Sequence, residues 1–346
     1  MKKRSIATAL AALATAAVVG AGTAAEAATF KACQVTDTGG VDDKGFNQTA
    51  WKGVQDAADQ LGIEIKLLES KAETDYEPNI NAFLSEKCDI IITVGFLLGD
   101  ATKKAAEANP DTKFSIVDFA YDPVVPNILG EVFATDEAAF LAGYLAAGMS
   151  ETGVVGTFGG INIPPVTIFM DGFVRGVAHY NSVKSASVTV LGWDPEKKEG
   201  LFTNNFESLD DGRAFAKNLV DEGADIVMPV AGPVGLGSAA LAAELGPESL
   251  KIIGVDVDQA LTDPDNAGVY LTSVEKKMDA TVLESIKAAK DGSFAGGVVV
   301  GTLASGGVGL APFHEMEDAV PAELKAELEA LSKAIVDGSI DVKGGG

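Results

Sequence analysis

Residues 31–68 read KACQVTDTGGVDDKGFNQTAWKGVQDAADQLGIEIKLL, and their pattern decides the fold. A short apolar run at 32–36 ends at Asp37 and two glycines. Phe46, Ala50, Val54, Ala57 and Leu61 then recur at steps of four, four, three and four, the apolar stripe of a helix. A second β-branched run follows at 63–68. Strand, loop, helix, strand is the repeating unit of a parallel sheet, because parallel neighbours need a crossover connection.

The alternation continues along the chain. Runs at 90–94, 114–118 and 128–133 complete a first series, and 154–158, 187–191, 226–230, 252–255 and 269–273 form a second. The pattern predicts an α/β protein of two doubly wound parallel-sheet lobes, alike in architecture but without a sequence repeat. A first crossover is expected near residue 134. The strand 269–273 and a helix at 275–291 then return towards the first lobe, and the glycine-rich stretch 296–309 crosses again. The expected division is 28–134 plus about 273–304 in lobe I, and 135–272 plus about 305–346 in lobe II.

Lys2, Lys3 and Arg4 precede an apolar run at 6–21, and Ala25-Glu26-Ala27 is a small-x-small cleavage pattern. The run is shorter than the roughly 20 residues that span a bilayer. Residues 1–27 are therefore expected to be a cleaved export signal, a transmembrane anchor being the alternative. Cys33 lacks the small apolar residues of a lipid-attachment site, so an unlipidated, extracytoplasmic chain is expected. Removing 1–27 takes away three cations and one anion, moving the net charge from −24 to −26. Such a surface opposes nucleic acid and anionic lipid, and leaves neutral small molecules open.

Cys33 and Cys88 are the two cysteines, and each begins a strand. If those strands are parallel neighbours their starts lie side by side, so a Cys33–Cys88 disulfide is expected, with two free thiols the alternative.

Ligands of open α/β sheets bind outside the carboxyl ends of the strands. Asp37, Asp118 and Asp256 all end strands, as do Gly95-Phe96 and Gly232, so they are expected to converge between the lobes. Asp43 stands where it can cap the helix that follows. Phe46 either begins the buried stripe of that helix or offers a stacking face at its mouth. Asn47 beside it can both donate and accept. Thr272-Ser273 are placed at a strand end and Lys276 one turn into the next helix, either solvated or reaching the cleft carboxylates.

Several chemistries are disfavoured. The 36–51 loop lacks the G-K-[ST] ending of a phosphate cradle, and three carboxylates in it repel an anion. Its acidic spacing is not that of a calcium loop. Gly235-x-Gly237-x-x-Ala240, with Asp256 following, imitates a dinucleotide fingerprint, but the glycines come late and Pro233 interrupts the turn. His179 and His314 are the two histidines, too few for Cys/His metal sites. A binding protein without cofactor or metal is expected, with an enzyme or a surface adhesion or sensory module as alternatives.

VTDTGGVDDKGFNQTAWKG, CDIIITVGF, FSIVDF, VAGPVGLG, GVDVDQ and TSVEKKMD occur in the order found in one family. The chain resembles the basic membrane protein family, the purine-nucleoside-receptor group of ABC transporter substrate-binding proteins, over about residues 30 to 312. The resemblance implies a type I periplasmic-binding-protein fold with a multi-stranded hinge, and a monomer that delivers a nucleoside to a membrane permease. A sugar or another small polar solute is the alternative ligand. Phe46 would stack on the base, with Asp37 and Asn47 beside it. Asp118 and Asp256 would contact base or ribose, Gly232 would offer backbone groups, and Lys276 would reach into the cleft. Phe206 is taken as the second stacking ring over Phe202 and Phe169, and Phe96 completes the set. Members commonly carry a lipid, and the absence of that site here implies a Gram-negative-type periplasm.

Overall fold

The computed structural model describes residues 29–343, so the expected export signal at 1–27 lies outside the described residues. The first lobe opens with β1 (Lys31–Val35), β2 (Glu64–Leu68), β3 (Ile90–Val94), β4 (Lys113–Val117) and β5 (Ile128–Phe133). The chain then builds β6 (Val154–Gly159), β7 (Thr189–Leu191), a small hairpin of β8 (Trp193–Asp194) and β9 (Glu199–Gly200), β10 (Ile226–Val230), β11 (Lys251–Asp256) and β12 (Tyr270–Lys276). β13 (Gly297–Gly301) and β14 (Val308–Leu310) follow.

Two six-stranded sheets result, ordered β13-β5-β4-β3-β1-β2 and β14-β12-β11-β10-β6-β7. Their first five strands run in the same order, so the lobes are architectural copies, as the two series of runs predict. Within these two sheets every pairing is parallel except β12 with β14. β3 and β10 are buried along their whole lengths, the mark of strands covered on both faces.

The chain passes between the sheets after β5, after β12 and between β13 and β14. β12 remains in the second sheet as far as Lys276, so a boundary at 272/273 would cut a strand. The helix Met278–Asp291 then packs on Phe46–Leu61 in the first lobe. The glycine-rich 296–309 stretch also supplies a strand to each sheet, β13 beside β5 and β14 beside β12. Glycine-rich composition hid both.

Gly212 and Gly237 resolve the dinucleotide look-alike. A Cβ on Gly237 would lie 1.9 Å from the Leu209 carbonyl oxygen, and one on Gly212 would lie 1.8 Å from that of Val234. These glycines let the helices Leu209–Asp221 and Val234–Leu245 touch through their backbones.

Cys33 and Cys88 form a disulfide, with Cα atoms 6.1 Å apart. β1 and β3 are neighbours, so the bridge ties strand starts at the edge away from the carboxyl ends. Reduction, or the Cys33→Ser/Cys88→Ser pair, should lower unfolding free energy by about 2–4 kcal/mol, since the bridge closes 55 residues of chain. Denaturant melts check this, and an unchanged midpoint would refute a stabilising role.

Candidate functional site

Both sheets reverse strand order at equivalent points, between β1 and β3 and between β6 and β10. Crevices open at such switch points, at the carboxyl ends of the strands. The two crevices face one another across a chamber lined by residues of both lobes, the placement expected of a small-molecule site. Asp37, Phe46, Asn47, Phe96 and Asp118 line it from the first lobe, and Phe206, Gly232, Asp256 and Lys276 from the second. The residues expected at strand ends, Asp37, Phe96, Asp118, Gly232 and Asp256, therefore meet in one place, with Phe46, Asn47, Phe206 and Lys276 beside them.

Lys276 is its electrostatic centre. Its Nζ lies 2.7 Å from Asp118 Oδ2 and 3.0 Å from Asp256 Oδ1, with all three side chains nearly buried. Burial alone would lower its pKa, but the paired carboxylates outweigh that and push it up, so the ammonium is held charged. Lys276 is not in a helix: β12 stays hydrogen-bonded through it, because Lys276 pairs with Val308. Ser273 accepts from Gln259 N and Thr272 donates to the Ala311 carbonyl, so both side chains are used within the second lobe. Asp118 and Asp256 both adopt left-handed backbone, φ 65° and 72°, which turns their carboxylates off the strand ends.

Asp37 is held by its neighbours. Tyr76 donates to Oδ1, and so does Thr38 N at 2.7 Å. Gly95, at φ 118°, passes so close that a Cβ there would lie 2.3 Å from Asp37 Oδ2. Burial pushes the Asp37 pKa up to about 6. Asn47 is a brace for this loop: its Oδ1 accepts from Asp37 N and its Nδ2 donates to the Thr38 carbonyl. Asp43 accepts from the backbone N–H groups of Gly45, Asn47 and Gln48, which is the capping role expected for it, although it also lines the chamber.

Phe46 lines the chamber and carries the Lys276 ammonium 4.6 Å from its ring centre. Phe206 and Phe169 line it from the opposite lobe, whereas Phe202 packs on Trp193 at 5.8 Å. Gly160 makes room for Phe206, since a Cβ there would meet its ring at 2.2 Å. Sequence reasoning missed the wall formed by Ile163, Pro165 and Val166, at the start of the helix Pro164–Lys184. That wall follows β6, and the strand-end rule applied to Gly159-Gly160 would have found it. At the rim, Lys44 Nζ reaches Asp263 at 2.8 Å, and Thr262 Oγ1 donates to the Lys44 carbonyl, so the lobes touch there directly.

Lys276→Met should cost on the order of 3–5 kcal/mol of stability at pH 7.5, because it strands two buried carboxylates. The loss should be smaller at pH 5 than at pH 7.5, because burial already raises the Asp118 pKa and, without the ammonium to oppose it, protonation relieves the stranded charge. Denaturant unfolding at both pH values measures this, and equal losses would contradict it.

A model of the family described as PnrA-like ABC transporter substrate-binding proteins matches residues 30–345. Basic membrane protein A of Borreliella burgdorferi is 33% identical over 308 residues, covering 88% of this chain and 85% of that one. The ABC transporter nucleoside-binding protein BmpA of Lactococcus lactis subsp. cremoris is 32% identical over 366 residues, covering 99% of each. Among solved structures, an ABC transporter solute-binding protein from Aeropyrum pernix superposes with a TM-score of 0.81 at 25% identity, covering 90% of this chain and 92% of its own. The two-lobed architecture is thus the type I periplasmic-binding fold.

Proposed function

The chain belongs to the PnrA-like family of ABC transporter substrate-binding proteins, and from that premise we propose that it captures a purine nucleoside between its lobes and delivers it to a membrane permease. Proteins of this family bind without chemistry, so the chamber is a binding site and not an active site. One observation carries the nucleoside reading: aromatic rings enter the chamber from both lobes, Phe46 from one and Phe206 and Phe169 from the other, beside carboxylates. A flat heterocycle fits between such rings, and base–aromatic stacking contributes roughly 1–3 kcal/mol per base.

Polar groups offer two kinds of contact in the chamber. Asp37 offers an acceptor to ring N–H groups. Asp118 and Asp256, fixed by Lys276, offer acceptors to vicinal sugar hydroxyls. Four carboxylates against one ammonium disfavour a phosphate, so nucleosides are taken and nucleotides refused. The signal-like residues 1–27 support export, and Cys33, held in the disulfide, is not available to carry a lipid.

Mass spectrometry of small molecules released on denaturation, followed by calorimetric titration, tests the ligand. Guanosine or adenosine should bind and the 5′-monophosphates should not; binding of ribose or a hexose alone would overturn the reading. Phe46→Ala should weaken binding by about 1–3 kcal/mol.

The pH dependence has a definite sign. Ligand N–H donors require ionised Asp37, so affinity should fall as pH drops through about 6. Asp37→Asn should flatten that slope, which separates Asp37 from the equally raised Asp43. Because the folded pKa of Asp37 is raised, its stability contribution is complete below its ordinary value and lost as pH rises through about 6. The ligand-free Asp37→Asn variant should therefore melt higher than the parent at pH 7.5. A lower melting temperature would count against the assignment.

A further inference from the structure

The two oxygens of the Asp37 carboxylate are not equivalent. Oδ1 accepts twice, from the Tyr76 hydroxyl and from Thr38 N at 2.7 Å. Oδ2 accepts from no group among the described residues and keeps accessible surface, which opens on the chamber that Asp37 lines. Gly95 clears the space beside it, since a Cβ there would stand 2.3 Å from Oδ2. One oxygen is spent inside the protein and the other is left open.

Tyr76 does not line the chamber. It is the first residue of the helix Tyr76–Ser85, and its side chain is buried in the core that also holds Cys33, Val35, Ile80 and Leu98. A phenylalanine would fill that core space equally well; what tyrosine adds is a hydroxyl, and the hydroxyl donates to Asp37. Burial and the facing carboxylate push the Tyr76 pKa up, so the group stays protonated and acts as a donor.

We infer that Tyr76 is a positioning residue for the ligand: it holds Oδ1 of Asp37 so that Oδ2 alone is presented to the chamber, as a single ionised acceptor for one N–H of the base. This rests on the nucleoside reading above. A carboxylate oxygen has two lone-pair sites, and both on Oδ1 are taken, so a base cannot engage Asp37 as a two-pronged fork. The same hydroxyl keeps Oδ2 ionised at neutral pH. Burial raises the Asp37 pKa, and Glu73 from the turn before the helix and Glu207 from the second lobe push the same way. The hydrogen bonds from Tyr76 and Thr38 oppose them, that of Tyr76 being the larger, and the balance leaves Asp37 at about 6. Without the hydroxyl, Asp37 keeps its proton to higher pH.

The test is calorimetric titration of guanosine and adenosine into the mature protein between pH 5 and 8. Tyr76→Phe keeps the ring and should move the midpoint of the affinity profile up by about one pH unit. Binding then weakens roughly fivefold at pH 6 and stays within about threefold at pH 8, where Asp37 is ionised again and Thr38 N still holds Oδ1. Placing 3-fluorotyrosine at position 76 preserves the shape of the side chain with a stronger donor, and should move the midpoint down instead. That arm holds whether or not the phenylalanine variant folds. In the Asp37→Asn background neither change should move the profile that remains.

A midpoint that neither change moves overturns the inference and leaves nucleoside binding standing. So does a loss of equal size at pH 6 and pH 8, since Tyr76 would then act through packing, and so does a shift that persists in the Asp37→Asn background. Failure of both nucleosides to bind the parent at any pH overturns the reading beneath it as well.

Discussion

A buried ammonium between two carboxylates governs this molecule. Asp118 hangs from the first sheet, Asp256 and Lys276 from the second, and none of the three can face water. A buried charge is tolerable only when paired; Asp256 pairs Lys276 within the second sheet, and Asp118 finds its partner only when the lobes meet. With the rim contacts of Lys44 to Asp263 and Thr262 and the three chain crossings, the Asp118–Lys276 pair ties the two sheets together. The rings around the ammonium follow from it, because Phe46, Phe133 and Phe169 all lie within 5.8 Å of Lys276 Nζ. A ligand in the chamber approaches two carboxylates whose orientation is already fixed by the ammonium they share, so little ordering remains to be done on binding.

Most of the architecture was legible because parallel strands covered on both faces write themselves as uninterrupted β-branched runs. Each run in the two series corresponds to a strand. What escaped were elements whose residues serve geometry instead of burial. β13 is mostly exposed valine between glycines, and β14 is three residues long. The end of β12 was misread for a related reason: Glu275, Lys276 and Lys277 look like the opening of a solvated helix. Only tertiary pairing with β11 and β14 keeps the strand going.

The site was legible to the extent that it lies at strand ends. Asp37, Asp118 and Asp256 were each placed by one topological rule. The choice among Phe169, Phe202 and Phe206 was not, since their positions depend on how the segment after β6 folds over the sheet. Phe202 is drawn aside by Trp193, while Phe206 occupies space that Gly160 vacates. Tyr76 gave no local signal at all, because its partner Asp37 is 39 residues away. Backbone strain is found at the same edge: Asp118 and Asp256 take up left-handed φ, a conformation that non-glycine residues adopt rarely and that clusters at functional positions.

The three crossings have a further consequence, for the order in which the molecule can be assembled. Neither lobe is a continuous piece of chain. The first sheet is short of its edge strand until residues 297–301 arrive, and the second until 308–310. A chain released from its N-terminus therefore passes most of its length before either sheet can be completed, and both are completed within a few residues of each other. The lobes are separate in architecture, yet they come into being together.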